Sequence, residues 1–236
     1  MRADDRLLVA LDVETIEEAA GLLDGLAGVV TGCKIGSQLF TAAGPAAVES
    51  ARKRGFRVFL DLKFHDIPNT VAGATRETAR LGVFMLDVHA SGGVAMMRAA
   101  AEAATRAAQD FAVPRPLVLG VTVLTSLDRR ALQQEVGVAV SVDAHVLHLA
   151  DRARAAGLDG CVASPREIGP LRLALGPDWV IVTPGVRSSP RTDDQTRVAT
   201  PRQARDAGAD YVVVGRPITA APDPAAAARE ILSRLA

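Results

Sequence analysis

The ten residues 61–70, DLKFHDIPNT, carry the densest set of chemically useful side chains in the chain. The apolar run that ends at Leu60 leads into Asp61, Lys63 and Asp66. A strand puts residues i and i+2 on one face, so Asp61 and Lys63 are expected to project together from a strand end. Asp66 then falls in a turn closed by Pro68. Two carboxylates and an ammonium are costly to bury unless they pair. Held beside a core strand, such groups serve proton transfer and the stabilisation of developing charge. The plainer alternative is a strand-end salt bridge with a solvated Asp66.

Other constellations are weaker. Asp61, Asp66 and Asp87 are candidate magnesium ligands, but Lys63 competes for the same carboxylates. Of the four histidines, His145 and His148 fall on a predicted helix as surface groups, and His89 reads as a hydrogen-bonding residue at the core edge. No G-x-S-x-G motif offers a nucleophile elbow, and no Cys/His cluster has zinc spacing.

The elements that must position these groups recur along the chain. Apolar, β-rich runs at 7–12, 32–35, 58–63, 85–90, 117–124, 160–163, 180–186 and 211–214 alternate with Ala-rich helical stretches. The runs are apolar on both faces, as parallel strands covered by helices should be. Thr15 with Glu18 forms a capping box before a helix at 19–26. Asn69 and Thr70 are expected to cap 71–81. Ser141 and Asp143 open 144–156, which Gly157 ends, and Asp223-Pro224 starts 225–235. Eight βα units without a linker predict one α/β domain over residues 1–236, a closed (β/α)8 TIM barrel. A doubly wound open sheet is the alternative.

Barrel chemistry sits at the C-terminal ends of the strands. Those ends offer Asp12, Lys34, Asp61 with Lys63, Asp87 with His89, Thr125 with Ser126, the run TPGVR at 183–187, and Gly215-Arg216. Two Lys and two Asp are thus expected at one mouth, with Arg187 and Arg216 on its far side. Barrels often bind phosphate with the loops after strands seven and eight. Gly185 and Gly215 permit close backbone approach to an anion, and Arg216 can fork onto phosphate oxygens. The long polar segment 188–199, with Pro190, reads as a lid.

Composition narrows the partners. The 236 residues are 49% apolar and carry no formal net charge, so nucleic acid is not an expected partner. The first six residues are charged and lack the apolar region of a secretory signal. No apolar run approaches the roughly 18 residues of a membrane span. Cys33 and Cys161 read as reduced, buried thiols, and a cytoplasmic location is expected.

Segment 61–70 resembles the signature of the orotidine 5′-phosphate decarboxylase family, bacterial type. The resemblance extends through Leu11-Asp12, the CKIG run at 33–36, the VHASGG run at 88–93, residues 121–126, TPGVR at 183–187, DDQ at 193–195, Thr200-Pro201 and the VGRPI run at 214–218. It implies decarboxylation of orotidine 5′-monophosphate to UMP, the last step of de novo pyrimidine synthesis, without metal or organic cofactor. It also implies a homodimer with shared active sites. Lys63 resembles the proton donor to C6, within a charged array of Lys34, Asp61, Lys63 and Asp66. Asp61 corresponds to the residue near the leaving carboxylate. By the same resemblance Asp12 and Lys34 hold ribose hydroxyls and Thr125 sits near the pyrimidine. Asp66, Ile67 and Thr70 reach the partner's site, and Arg187, Gln195, Gly215 and Arg216 line the phosphate.

Overall fold

The computed structural model describes residues 3–186 and 199–236. Within them, eight parallel strands close into a barrel in chain order: β1 (Leu7–Ala10), β2 (Gly32–Gly36), β3 (Arg57–Phe64), β4 (Met85–His89), β5 (Leu117–Val121), β6 (Gly160–Val162), β7 (Val180–Thr183) and β8 (Tyr211–Val214). The pairing of Leu8 with Val213 closes the ring and excludes the open sheet. The fold is therefore the (β/α)8 barrel that the repeated apolar runs predict.

Period-two alternation along each strand builds two distinct cores. One residue set packs outward against the helices, among them Leu7, Val9, Cys33, Ile35, Val58, Leu60, Leu86 and Val88. The other fills the barrel: Leu8, Ala10, Phe59, Met85, Leu119, Val182, Tyr211 and Val213. Two residues further along, three of the inward rows reach carboxylates and a fourth reaches a glycine. Ala10 is followed by Asp12, Phe59 by Asp61, Met85 by Asp87, and Val213 by Gly215. The plug of apolar side chains thus becomes the floor of whatever lies above it.

Most predicted strands run past the end of the ladder. Residues 117–124 and 180–186 continue an apolar pattern, but pairing stops at Val121 and Thr183. Helix starts follow local chemistry. Thr15 accepts from the Glu18 backbone N–H, Ser141 from that of Ala144 and Asp223 from that of Ala226. Glu18 does not close the box on Thr15; its carboxylate takes the Glu14 N–H instead. The expected Asn69/Thr70 cap is corrected. The helix is Pro68–Arg80, with Ile67 at the cap position and no side-chain cap bond. Pro68 occupies the first turn, where its missing N–H costs nothing.

At the opposite end of the barrel, two Asp–Arg clasps join neighbouring strands. Asp159 accepts the Val118 N–H and binds Arg115; Asp210 accepts the Ile181 N–H and binds Arg172. Arg172 also donates to the carbonyls of Gly176, Pro177, Trp179 and Gly208.

Candidate active site

A cleft of about 560 Å³ opens at the C-terminal mouth of the barrel. Its wall includes Asp12, Lys34, Asp61, Lys63, Thr125, Gly215 and Arg216, all expected at the mouth from their places along the chain. Gln38 and Pro184–Val186 also line it. Gln38 was not anticipated; its position in the helix Ser37–Ala43, directly after β2, was the available signal.

Lys34 sits between two carboxylates. Its Nζ lies 3.0 Å from Asp12 Oδ1 and 3.3 Å from Asp61 Oδ2. The Lys34 and Asp61 side chains are only 10% and 12% exposed, whereas that of Asp12 is 55% exposed. The Lys34–Asp61 pair is therefore a buried one, and Asp12 meets it from the solvent side. The Lys63 ammonium contacts the other oxygen of Asp61. Burial works against the Lys34 ammonium, but Asp61 and Asp12 outweigh it and raise its pKa. Burial likewise opposes the Asp61 carboxylate. Lys34 first, then a hydrogen bond from Asp87 and the charge of Lys63, bring its pKa down to about 2. Alternating charge is what allows this array to be buried while ionised.

The strand beneath it is irregular. Leu60 pairs with Leu86 and Phe64 with Val88, so Asp61, Leu62 and Lys63 together face the single residue Asp87. A bulge of this kind re-aims side chains. Lys63 takes up the slack with φ = 51°, a left-handed conformation unusual for a residue with a Cβ. Its backbone N–H donates to Asp87 Oδ1 at 2.8 Å. The expectation that Asp61 and Lys63 share a face holds, although a bulge rather than a regular strand arranges it.

The remaining expected residues are placed as follows. Asp66 and Ile67 lie on the exposed turn after β3 and Thr70 in the first turn of the helix that follows, and none of them lines this cleft. Ile67 is 67% exposed, unusual for a large apolar residue, and Asp66 accepts the Ile67 N–H. Asp66 therefore stands outside the array that Lys34, Asp61 and Lys63 form within this chain. With Asp66 exposed and Asp87 fully buried, the three carboxylates considered for magnesium do not converge. Gly185 has φ = 76°, which justifies glycine there; Gly215 does not have a positive φ. Arg187, Gln195, the DDQ run and all of the expected lid 188–199 except Ala199 lie outside the described residues. Val186 and Ala199, which flank them, form an isolated parallel bridge. His89 is half-buried, its ring 5.4 Å from that of His65, and burial followed by His65 lowers its pKa. His145 and His148 sit on the helix Val142–Ala155, well away from the cleft.

Comparison with known proteins agrees with the geometry. Residues 5–231 match the model of the orotidine 5′-phosphate decarboxylase / HUMPS family. The chain is 56% identical to the orotidine 5′-phosphate decarboxylase of Moorella thermoacetica, over all of this chain and 94% of that one. It is 50% identical to that of Heliobacterium modesticaldum, over all of this chain and 98% of that one. The crystal structure of orotidine 5′-phosphate decarboxylase from Lactobacillus acidophilus superposes with a TM-score of 0.85 at 36% identity, covering 98% of this chain and 99% of that one.

Proposed function

This chain belongs to the orotidine 5′-phosphate decarboxylase / HUMPS family, and on that premise we propose how its mouth residues carry out the reaction. The enzyme is a carboxy-lyase that converts orotidine 5′-monophosphate to UMP and CO2, completing de novo pyrimidine synthesis. The buried Lys34–Asp61–Lys63 array on the floor of the cleft is the observation that carries the assignment of roles.

Loss of CO2 leaves an electron pair on C6 with no adjacent sink. The Lys63 ammonium faces that carbon, stabilises the developing charge and gives up its proton to form the new C–H bond. Asp61 lies near the departing carboxylate. At about 4 Å and an effective dielectric near 20, two such anions repel by about 4 kcal/mol, and the repulsion vanishes as CO2 leaves neutral. Lys34 keeps Asp61 ionised and, with Asp12, holds the ribose hydroxyls. Thr125 sits by the pyrimidine. Arg187, Gln195, Gly215 and Arg216 take the phosphate, whose binding energy orients the base over Lys63.

The whole chain, 1–236, acts as one decarboxylase domain without metal or organic cofactor, as a homodimer in the cytoplasm. The exposed Ile67, beside Asp66 and Thr70, supports the dimer, since these residues complete the neighbouring subunit's site. The two buried, unpaired thiols suit a reducing compartment.

The test follows the fall in ultraviolet absorbance of orotidine 5′-monophosphate, with and without EDTA. EDTA-insensitive conversion to UMP is expected, and Lys63→Ala should fold normally yet lose nearly all turnover. Near-normal turnover by that variant refutes the role of Lys63, and loss of activity in EDTA points to metal-dependent chemistry. Mixing unfolded Lys63→Ala and Asp66→Ala chains and refolding them together should restore activity neither has alone. No restoration would sink the shared site.

A further inference from the structure

Asp87 is fully buried on the inward row of β4, directly below the array. Its Oδ1 accepts the Lys63 N–H, while Oδ2 is shielded from solvent and meets no donor among the described residues. The Asp61 carboxylate acts on Asp87 from the neighbouring strand, like charge against like. Two neighbouring carboxylates, one of them fully buried with an oxygen that meets no donor, are costly to keep ionised together, so one carries a proton. Asp61 already answers two lysines, so the proton belongs on Asp87, and the orphaned Oδ2 is then a donor rather than a starved acceptor. The other ionisable groups nearby are Lys63 itself, Lys34 bonded to Asp61, and His89 on the same strand; β5 pairs Asp87 with apolar Leu119.

We propose that Asp87 is the positioning residue of the proton donor: a neutral carboxylic acid that holds Lys63 in its left-handed conformation through one oxygen and hydrogen-bonds the Asp61 carboxylate through the other. This rests on Lys63 as proton donor. Burial, and then the charge of Asp61, push the Asp87 pKa well above the usual carboxylate range, in keeping with that geometry. Without the bond to its N–H, Lys63 is free to leave this unfavourable backbone conformation and to carry its ammonium away from C6.

Asp87→Asn and Asp87→Leu separate this role from simple packing. The amide of Asn can accept from Lys63 and donate to Asp61, so Asp87→Asn should retain most of kcat. The nearly isosteric Asp87→Leu can do neither; its kcat should fall roughly a hundredfold with KM little changed. Parental kcat in Asp87→Leu, or an equal fall in both variants, overturns the proposal.

Thermal unfolding against pH reads the proton directly. A group with a raised folded pKa contributes stability that is full below its unfolded pKa, near 4, and lost as pH climbs towards the folded value. Asn has no such loss, so the melting temperature of Asp87→Asn should rise relative to wild type as pH climbs above about 4. A constant difference above that pH means Asp87 carries no proton and refutes the proposal. This readout needs no turnover and no folded Leu variant. Failure of the Lys63 assignment would instead appear in Lys63→Ala kinetics and leave it untouched.

Discussion

Replacing Lys34 by Met removes a charge from between two carboxylates while keeping a side chain of similar length. At the 3.3 Å separating Lys34 from Asp61, and an effective dielectric near 20, the lost attraction is about 5 kcal/mol. The half-exposed Asp12, at 3.0 Å, adds no more than about 1 kcal/mol. Methionine escapes the ammonium's desolvation cost, so the net destabilisation should be about 3 kcal/mol, typical of a buried pair deprived of one partner. Acid dependence identifies the cause. Asp61 titrates at about 2 when folded, against an ordinary 3.8. A depressed folded pKa contributes stability that is full above the unfolded pKa and lost as pH falls through the folded one. The shift corresponds to about 2.5 kcal/mol. Without Lys34, burial drives Asp61 upward and most of that contribution goes. The gap between wild type and Lys34→Met should therefore be widest at neutral pH and close between about pH 4 and pH 2. Urea unfolding followed by the fluorescence of Trp179, the single and buried tryptophan, measures it. A neutral-pH gap under about 1 kcal/mol, or one that ignores pH, refutes the reasoning.

Three further outcomes are expected. A Cβ added at Gly36 would stand 2.8 Å from Lys34 Nζ and 3.4 Å from Asp12 Oδ1, at the mobile end of a side chain rather than against backbone. Gly36→Ala should keep its melting temperature but lose roughly tenfold or more in kcat/KM, and unaltered kinetics would contradict the tight array. Burial raises the thiols of Cys33 and Cys161 to about 12. Neither should react with an aromatic disulfide reagent in the native protein, and both should react in guanidinium. Arg172→Ala removes a donor from four carbonyls and from Asp210, which keeps only the Ile181 N–H. It should cost about 3 kcal/mol and lower the melting temperature by roughly 6–12 °C, with turnover at room temperature intact; an unshifted melting curve would show the clasp to be idle.

The sequence makes the barrel legible because each strand is short, apolar on both faces and separated from the next by a helical pattern. Strand ends were overrun where the apolar pattern outlasted the hydrogen-bonded ladder, as at Val123–Leu124 after β5. Asp12, Lys34, Asp61, Lys63, Thr125, Gly215 and Arg216 were legible because position along a barrel strand fixes which end a residue reaches. The service of Asp87 was not. It depends on a register shift between two strands, and no local pattern in either one reports that three residues of β3 will face one of β4. The cap at Asn69/Thr70 failed for a local reason: Pro68 pre-sets the helical φ one turn early.

The bond between the Lys63 N–H and Asp87 joins residues 24 apart in the chain, with the helix Pro68–Arg80 folded between them. Helical turns form within about a microsecond, whereas the pairing of β3 with β4 must wait for the chain to return across the barrel. A nascent or partly melted chain therefore contains every residue of the array without being able to use it: its lysine is an ordinary, solvated, freely rotating amine. The Lys63 amide proton, held by a carboxyl group shut away from water, should exchange with solvent only when these two strands part. Competence is acquired late and all at once, when the central ladder zips, and slow amide exchange at a single residue would time-stamp that moment.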